Sequence, residues 1–291
     1  MSFDVWKPLY VDKFDCDKYL YHYTNFETAI KIISSKTLLF SSISQTNDTS
    51  ESKIRMGFEY KSTCNQDVYQ DMVRKTTDYF KECTQIVQLL CLSMDTKVRD
   101  NERQKYLSAM GNKDPYYDVS GRGFALPRMW AQYANNNEGV CFILNKAKLL
   151  EQVQTRITFT KSAPVKYKRL FDKYVVTADR MKILYERISL LENGDLALID
   201  MIQKDKDFLN YNFFEKLDDW KNEHEYRIIA LTGKKDSRIP IRGLVSYLEG
   251  IVIGEKMDKA YEGTIRLLVE SISRKCEVKR IQFDSRMCKV I

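Results

Sequence analysis

The chain has 291 residues, 44% of them hydrophobic and 30% charged, with a formal net charge of +7. That balance excludes a disordered chain, and the length supports a sizeable core. No apolar run approaches the ~18 residues of a membrane helix, and residues 1–7 lack the basic-then-apolar pattern of a signal peptide, so a cytoplasmic protein with no membrane partner is expected.

Residues 1–18 read as an irregular lead-in, with Trp6 and Tyr10 as packing anchors. The alternation of Leu20, His22 and Thr24 with Tyr19, Tyr21 and Tyr23 predicts a short strand. Thr24 and Glu27 have capping-box spacing, and Phe26, Ala29, Ile30 and Ile33 recur at helical intervals, so a helix follows at once. His22 then lies at the end of a strand beside free helix amides, a setting for an anionic or nucleotide ligand. The plainer alternative is a histidine satisfied by a backbone carbonyl.

A strand over 37–42 and a polar loop over 43–50 come next. Residues 66–90 predict a long helix with Val68, Met72, Val73, Phe80, Cys83 and Val87 on its apolar side, before a buried strand at 89–94. The polar, turn-rich stretch 95–123 is too long for a simple connection and reads as a lid or functional loop. Pro127 suits the first turn of a short helix ending near Ala134. On that helix Trp130, Tyr133 and Ala134 share one side, as core or as the flat wall of a pocket.

The run Asn135-Asn136-Asn137-Glu138-Gly139 turns into a strand over 139–144, and Asn145 caps a helix over 146–153. Strands near 155–160 and 164–168 precede helices near 175–191 and 195–208, which read as a helical insertion of about 175–216. A strand over 225–231, strands at 238–241 and 248–253, a helix near 257–274 and a closing strand at 276–283 complete the chain. Five prolines and 11 glycines, with no linker, favour one continuous domain. Strands and helices are intermingled without strict alternation, so the expected class is α+β.

Seven cysteines at 16, 64, 83, 91, 141, 276 and 288 form no Cys-x-x-Cys pair and fall largely in apolar segments, as reduced and buried thiols do. With two histidines besides, a structural zinc site is not expected. From residue 266 onward seven Lys or Arg stand against three acids, and Lys161, Lys166, Lys168, Arg169 and Lys173 form a second basic stretch. Such patches attract nucleic acid or phosphorylated substrates, or are solvated faces.

The other chemically suggestive stretch is Trp220 to Ile229. On an extended backbone Glu223, Glu225 and Arg227 face one way and His224 and Tyr226 the other. Two carboxylates so placed repel, which raises the pKa of one. They suit a sugar hydroxyl and positive charge developing at an anomeric carbon, or else a plain surface Glu–Arg arrangement. Arg227 would orient Glu225 or bind a phosphate.

Tyr21-His22-Tyr23, Leu39-Phe40-Ser41-Ser42, Asn47-Asp48, Met129 through Ala134, Glu138 through Cys141, Glu223 through Arg227 and Ile251 through Gly254 occur in one order. Together they resemble the bacterial family catalogued as domain of unknown function 2971, over about residues 19–255. More distantly, a strand ending His22-Tyr23-Thr24, a capped helix and a second strand ending Ser41-Ser42 resemble the opening of the ADP-ribosyltransferase fold.

That second resemblance implies a split mixed or antiparallel sheet with flanking helices, NAD as substrate and no metal. By its histidine–aromatic–glutamate pattern His22 holds the NAD ribose, and Glu225 is catalytic with Glu223 completing Glu-x-Glu. The stacking aromatic is Trp130, Tyr133 or Phe40. Tyr23, Thr24, Ser41, Ser42, Asn47 and Arg227 complete the implied NAD site. The implied activity is transfer of ADP-ribose to a nucleic-acid or protein acceptor, with antiviral defence as a setting. The alternatives are a nucleotide- or nucleic-acid-binding module without turnover, or a nuclease or hydrolase using Asp48, Glu223 and Glu225. No Gly-x-Ser-x-Gly element supports a serine hydrolase.

Overall fold

The alternating stretch at the start forms β1 (Tyr19–Thr24), and the amphipathic stretch after it forms α1 (Phe26–Ser35). The structure, a computed structural model, describes residues 18–48, 50–51, 53, 55–60, 65–96, 121–170, 174–190, 203–231, 238–283 and 288–291. The cap of α1 is Asn25 and not Thr24: the Asn25 side chain accepts from the Thr28 amide at 2.8 Å. Thr24 instead stays in the strand, in register with Val140.

Next come β2 (Thr37–Leu39), β3 (Ser41–Ser42), β4 (Met56–Phe58), α2 (Gln66–Gln85) and β5 (Val87–Ser93). The helix expected to reach residue 90 stops at Gln85, because the apolar run from Val87 pairs residue by residue with a later strand. Val68, expected on the apolar side, is 50% exposed. Then follow α3 (Pro127–Tyr133), β6 (Val140–Asn145), α4 (Lys146–Gln154), β7 (Thr160–Pro164), β8 (Lys166–Lys168) and β9 (Tyr174–Val176). Pro127 occupies the first turn of α3 and the Asn145 side chain caps α4, both as their local signals predict. The strand expected near 155–160 is mostly the turn after α4, and a strand, β9, stands where the first inserted helix was expected to begin.

The remaining elements are α5 (Ala178–Leu190), α6 (Lys206–Phe213), β10 (Glu215–Leu217), a 3-10 turn (Asp218–Glu223), β11 (Glu225–Leu231), β12 (Pro240–Arg242), α7 (Leu244–Tyr247), β13 (Leu248–Ile253), α8 (Lys259–Ile272), β14 (Glu277–Phe283) and β15 (Cys288–Val290). The lead-in, most of the stretch read as a lid (97–120) and the middle of the helical insertion (191–202) lie outside the described residues. The class is α+β. Among the described residues no helix is long and apolar enough to cross a membrane.

The main sheet runs β15-β14-β13-β6-β1-β5-β11-β7, with β3 also on β5. Only β13 and β14 are parallel within it; the other pairs are antiparallel. One face is a continuous apolar core of Leu20, Leu90, Leu92, Phe142, Ile228 and Ile251, covered by α1, α4, α7 and α8. The other face is divided in two. Tyr21, Tyr23, Trp130, Cys141 and Ile143 pack over one half with α3, and Val87, Leu89, Ile229, Phe80 and Phe208 over the other with α2, α5 and α6.

Between those halves the sheet opens. β1 follows β6 through six consecutive pairs, but meets β5 at a single one, Tyr21 opposite Ser93. β3 takes up the same side of β5 only at Leu89 and Gln88. The β5 backbone over residues 90–92 therefore has no strand beside it on that side.

Candidate active site

The opening is a cavity of about 270 Å³, walled by residues 21–23 of β1, by 89–93 of β5, by the segment from Leu39 to Asn47, and by Met129, Tyr133, Lys216, Glu223 and Glu225. Its volume lies near the lower end of ligand pockets, roughly 300–1,000 Å³. His22 and Glu225, expected at one site, are on opposite sides of β5 and both line it. Tyr21, Ser93 and Glu225 form one register row across β1, β5 and β11.

His22 is half-buried and hydrogen-bonds the Cys91 backbone, reaching across the gap in the sheet. Burial pushes its imidazole down to about 4, so it is neutral at physiological pH. The other histidine, His224, is a left-handed residue (φ 45°) outside the cavity wall, and burial lowers its pKa too.

Glu225 begins β11, and Arg227 follows on the same face. The guanidinium grips the carboxylate from behind, Nε to Oε1 at 2.6 Å and Nη2 to Oε2 at 3.0 Å. Arg227 also donates to the Phe213 carbonyl at 2.8 Å and to Glu51. It is fully buried, so it orients Glu225 and does not itself face the cavity.

Glu223 belongs to the 3-10 turn and not to an extended strand, and the left-handed His224 separates it from Glu225. The two carboxylates nevertheless converge on Lys216 of β10, each Oε2 lying 2.8 Å from the ammonium. Glu51 stands 4.0 Å from the same ammonium, which also lies over the Trp220 ring at 5.1 Å. Tyr133 closes the far side of Glu223, its hydroxyl donating to Oε1 at 2.6 Å.

At Glu225 the geometry produces no upward shift from carboxylate repulsion. Burial pushes Glu225 up, but Arg227 and then Lys216 outweigh it and hold its carboxyl at about 2. To the arginine expected beside Glu225 the fold adds a second cation, Lys216. The raised carboxyl is Glu51, where burial outweighs relief from Arg227 and Lys216. Lys216 moves upward: burial alone would lower it, and Glu225 and Glu51 more than reverse that. Glu51, Glu223 and Glu225 thus share two cations, all five side chains being nearly inaccessible to solvent.

Of the other expected residues, Tyr23, Ser41, Ser42, Asn47 and Tyr133 line the cavity. Thr24, Trp130, Phe40 and Asp48 do not. Trp130 is wholly buried, its ring N–H donating to the Phe124 carbonyl at 2.7 Å, and it meets Tyr23 edge to face at 5.3 Å. Phe40 belongs to the continuous core, so Tyr133 is the aromatic candidate that reaches the wall. Asp48 turns its carboxylate to Ser50, at 2.9 Å from the amide. Among the described residues no group of three or more His, Cys, Asp or Glu is disposed to hold a metal.

Lys216, Glu51 and Ser93, whose buried hydroxyl has no partner among the described residues, were not anticipated. For Lys216 a signal existed: a lone lysine between Phe213-Phe214 and Leu217, flanked by Trp220.

The stretch from α3 to β11 carries most of this chemistry, and it is here that the chain resembles other sequences. A family described as "Protein of unknown function (DUF2971)" matches residues 129–228. The DUF2971 match includes Tyr133, Lys216, Glu223, Glu225 and Arg227, and stops short of His22 and Glu51. It covers a narrower span than the 19–255 read from scattered sequence motifs. No curated protein and no solved structure matches the chain.

Proposed function

We propose that this chain is an NAD-consuming, ADP-ribosyltransferase-like enzyme that passes ADP-ribose to a nucleic-acid or protein acceptor. The observation that carries the reading is the gap between β1 and β5, which sets His22 and Glu225 on two walls of one cavity. The cavity encloses a nucleoside-sized portion of a dinucleotide and leaves the remainder at the mouth. Its charged wall residues are Glu223, Glu225 and Lys216, a net negative set that favours the cationic nicotinamide end over the pyrophosphate.

In this reading the bond between the anomeric carbon and the pyridine nitrogen breaks, and its electron pair leaves with nicotinamide. Glu225 stabilises the charge left on the ribose, as carboxylates do in glycoside cleavage. The acceptor nucleophile, or water, forms the new bond to the anomeric carbon and gives up its proton to Glu223. Neutral His22 holds the ribose, and Tyr133 supplies a flat wall for the ring.

A second reading, a nucleotide- or nucleic-acid-binding module without turnover, is favoured by one observation: both carboxylates already hold cationic partners. Incubation with NAD, with and without nucleic acid, while following free nicotinamide, separates the two. Release by the parent protein, abolished in Glu225→Gln with NAD binding retained, is the expected result. NAD binding with no release favours the second reading, and parent-rate release by Glu225→Gln removes the mechanism.

A further inference from the structure

We propose that Lys216 is the positioning residue of this site: its single ammonium spans Glu223 and Glu225, fixes the two carboxylates as a fork, and allows both to be ionised together. For its catalytic meaning this rests on the reading of Glu225 as the charge-stabilising group. The ionisation itself is independent of any substrate.

The argument begins with separation. Two contacts of 2.8 Å to one nitrogen keep the facing carboxylate oxygens within about 5.6 Å of each other. At that range, and away from water, two carboxylates do not both stay charged unless a cation lies between them. Arg227 lowers Glu225 most, but it touches only that member of the pair. It grips Glu225 and Glu51 from the side away from the cavity, and its remaining bond goes to the Phe213 carbonyl. Lys216 is the cation that touches both members of the pair.

The other elements packed on the pair bring uncharged groups and one further acid. From β5, Cys91 hydrogen-bonds Glu225, and from β8 the Tyr167 hydroxyl accepts from the Glu225 amide at 2.9 Å. From α3, Tyr133 donates to Glu223. Burial holds Tyr133 and Tyr167 above their ordinary pKa values, and the Cys91 thiol, exposed at the cavity, is raised too, with Glu225 beside it among the causes, so at neutral pH all three are uncharged donors or acceptors. Glu51 adds a third acid 4.0 Å from Lys216 and increases the demand on that one ammonium.

Placement on the backbone supports the same role. β10 is a three-residue strand paired in parallel with β8, with Glu215 opposite Lys166 and Lys216 opposite Tyr167. The Trp220 ring beneath the ammonium limits where it can swing. The lysine brings a compact point charge to both carboxylates at equal distance.

The test uses protein labelled at the glutamate δ-carbon, followed by NMR as a function of pH, with Glu223 and Glu225 assigned from their Gln variants. In the parent protein the Glu225 carboxyl signal should stay in the ionised position from pH 8 to below pH 5. In Lys216→Met one of the two should titrate about 1–3 units higher than in the parent. In the double variant Lys216→Met/Glu223→Gln, which removes one cation and one anion together, the Glu225 signal should return toward the parent position. The double variant also serves if the single variant does not fold.

A parent carboxyl of this pair titrating near neutrality, or Lys216→Met titrating like the parent, would overturn the proposal. So would a Glu225 signal still raised in the double variant. If nicotinamide is released, its acid limb in Lys216→Met should move upward by the same shift, with the rate recovered at higher pH. No release by any protein would count against the proposed function alone and leave the carboxyl titration to decide the role of Lys216.

Discussion

The two faces of the central sheet differ in kind. One buries a single apolar core across most of its strands. The other has two apolar clusters with a seam of five buried charged side chains near their junction. Neighbours on β11 display the contrast within one strand: Ile228 belongs to the continuous core, while Arg227 is gripped by Glu225 and Glu51 on the other side. Apolar packing on both faces would be the simpler way to stabilise such a sheet, since buried ion pairs are often no better than hydrophobic substitutes. The seam is therefore more readily explained by chemistry than by stability.

The largest expected effect is on stability, from cutting the seam at its buried end. Arg227→Met leaves Glu225 and Glu51 without their shared cation and should cost about 3–5 kcal/mol at pH 7, measured by urea denaturation. A cost below about 1 kcal/mol would mean the seam is not the tightly coupled unit described.

Next is the acid limb of stability. The folded-state pKa of Glu225, about 2, lies below its ordinary value of 4.5, so the unfolded chain takes up this proton first. The stabilisation is present above about pH 4.5 and lost as pH falls toward 2, on the order of 3 kcal/mol in all. Glu51 acts with the opposite sign and at higher pH: its folded pKa is raised, so acidification from that raised value down to about 4.5 relieves a penalty. The urea midpoint of the parent should therefore fall steeply only below pH 4.5, and Glu225→Gln should flatten that fall. An equally steep fall in the variant would assign the limb to other groups.

A smaller effect is expected at the cavity wall. Tyr133→Phe removes one hydrogen bond to a carboxylate and should cost about 1.5–3 kcal/mol, with little change in the circular dichroism spectrum. The smallest lies on the apolar face. Ile228→Val should cost about 0.5–1.5 kcal/mol, with the same value at pH 4 and pH 8. A pH-dependent cost there would show that the two faces are not independent.

Local signals were legible in the sequence wherever one residue decides the geometry. Asn145 caps α4 and Pro127 opens α3 because each needs only its own neighbours. The first cap was misplaced by one residue since Thr24 and Asn25 are both good caps, and strand pairing with Val140 claimed the threonine. α2 was drawn too long because an apolar run fits helix and strand alike until β11 supplies partners.

His22 and Glu225 were legible as residue types at the ends of strands, and Tyr133 as one of three aromatic candidates. Glu51 was not, because what makes it matter is proximity across the fold: it meets an arginine 176 positions away. Lys216 is only seven residues from Glu223, but the 3-10 turn that brings them together is not marked by the extended reading of that stretch. The downward shift of Glu225 depends on Lys216 as well as on Arg227, and only the arginine was legible beside it.

The interrupted pairing of β5 has a consequence for solvent exchange. By position β5 is a central strand of the largest sheet, where amide protons ordinarily leave only on global unfolding. Along residues 90–92, however, its β1-side groups face an opening, as they do on the outermost strand of a sheet. The Cys91 amide, on the same side as the carbonyl that receives His22, should thus exchange deuterium by a local route, faster than its neighbours Leu90 and Leu92, whose amides face β11. A strand can sit in the middle of a protein and still, over three residues, behave as its rim.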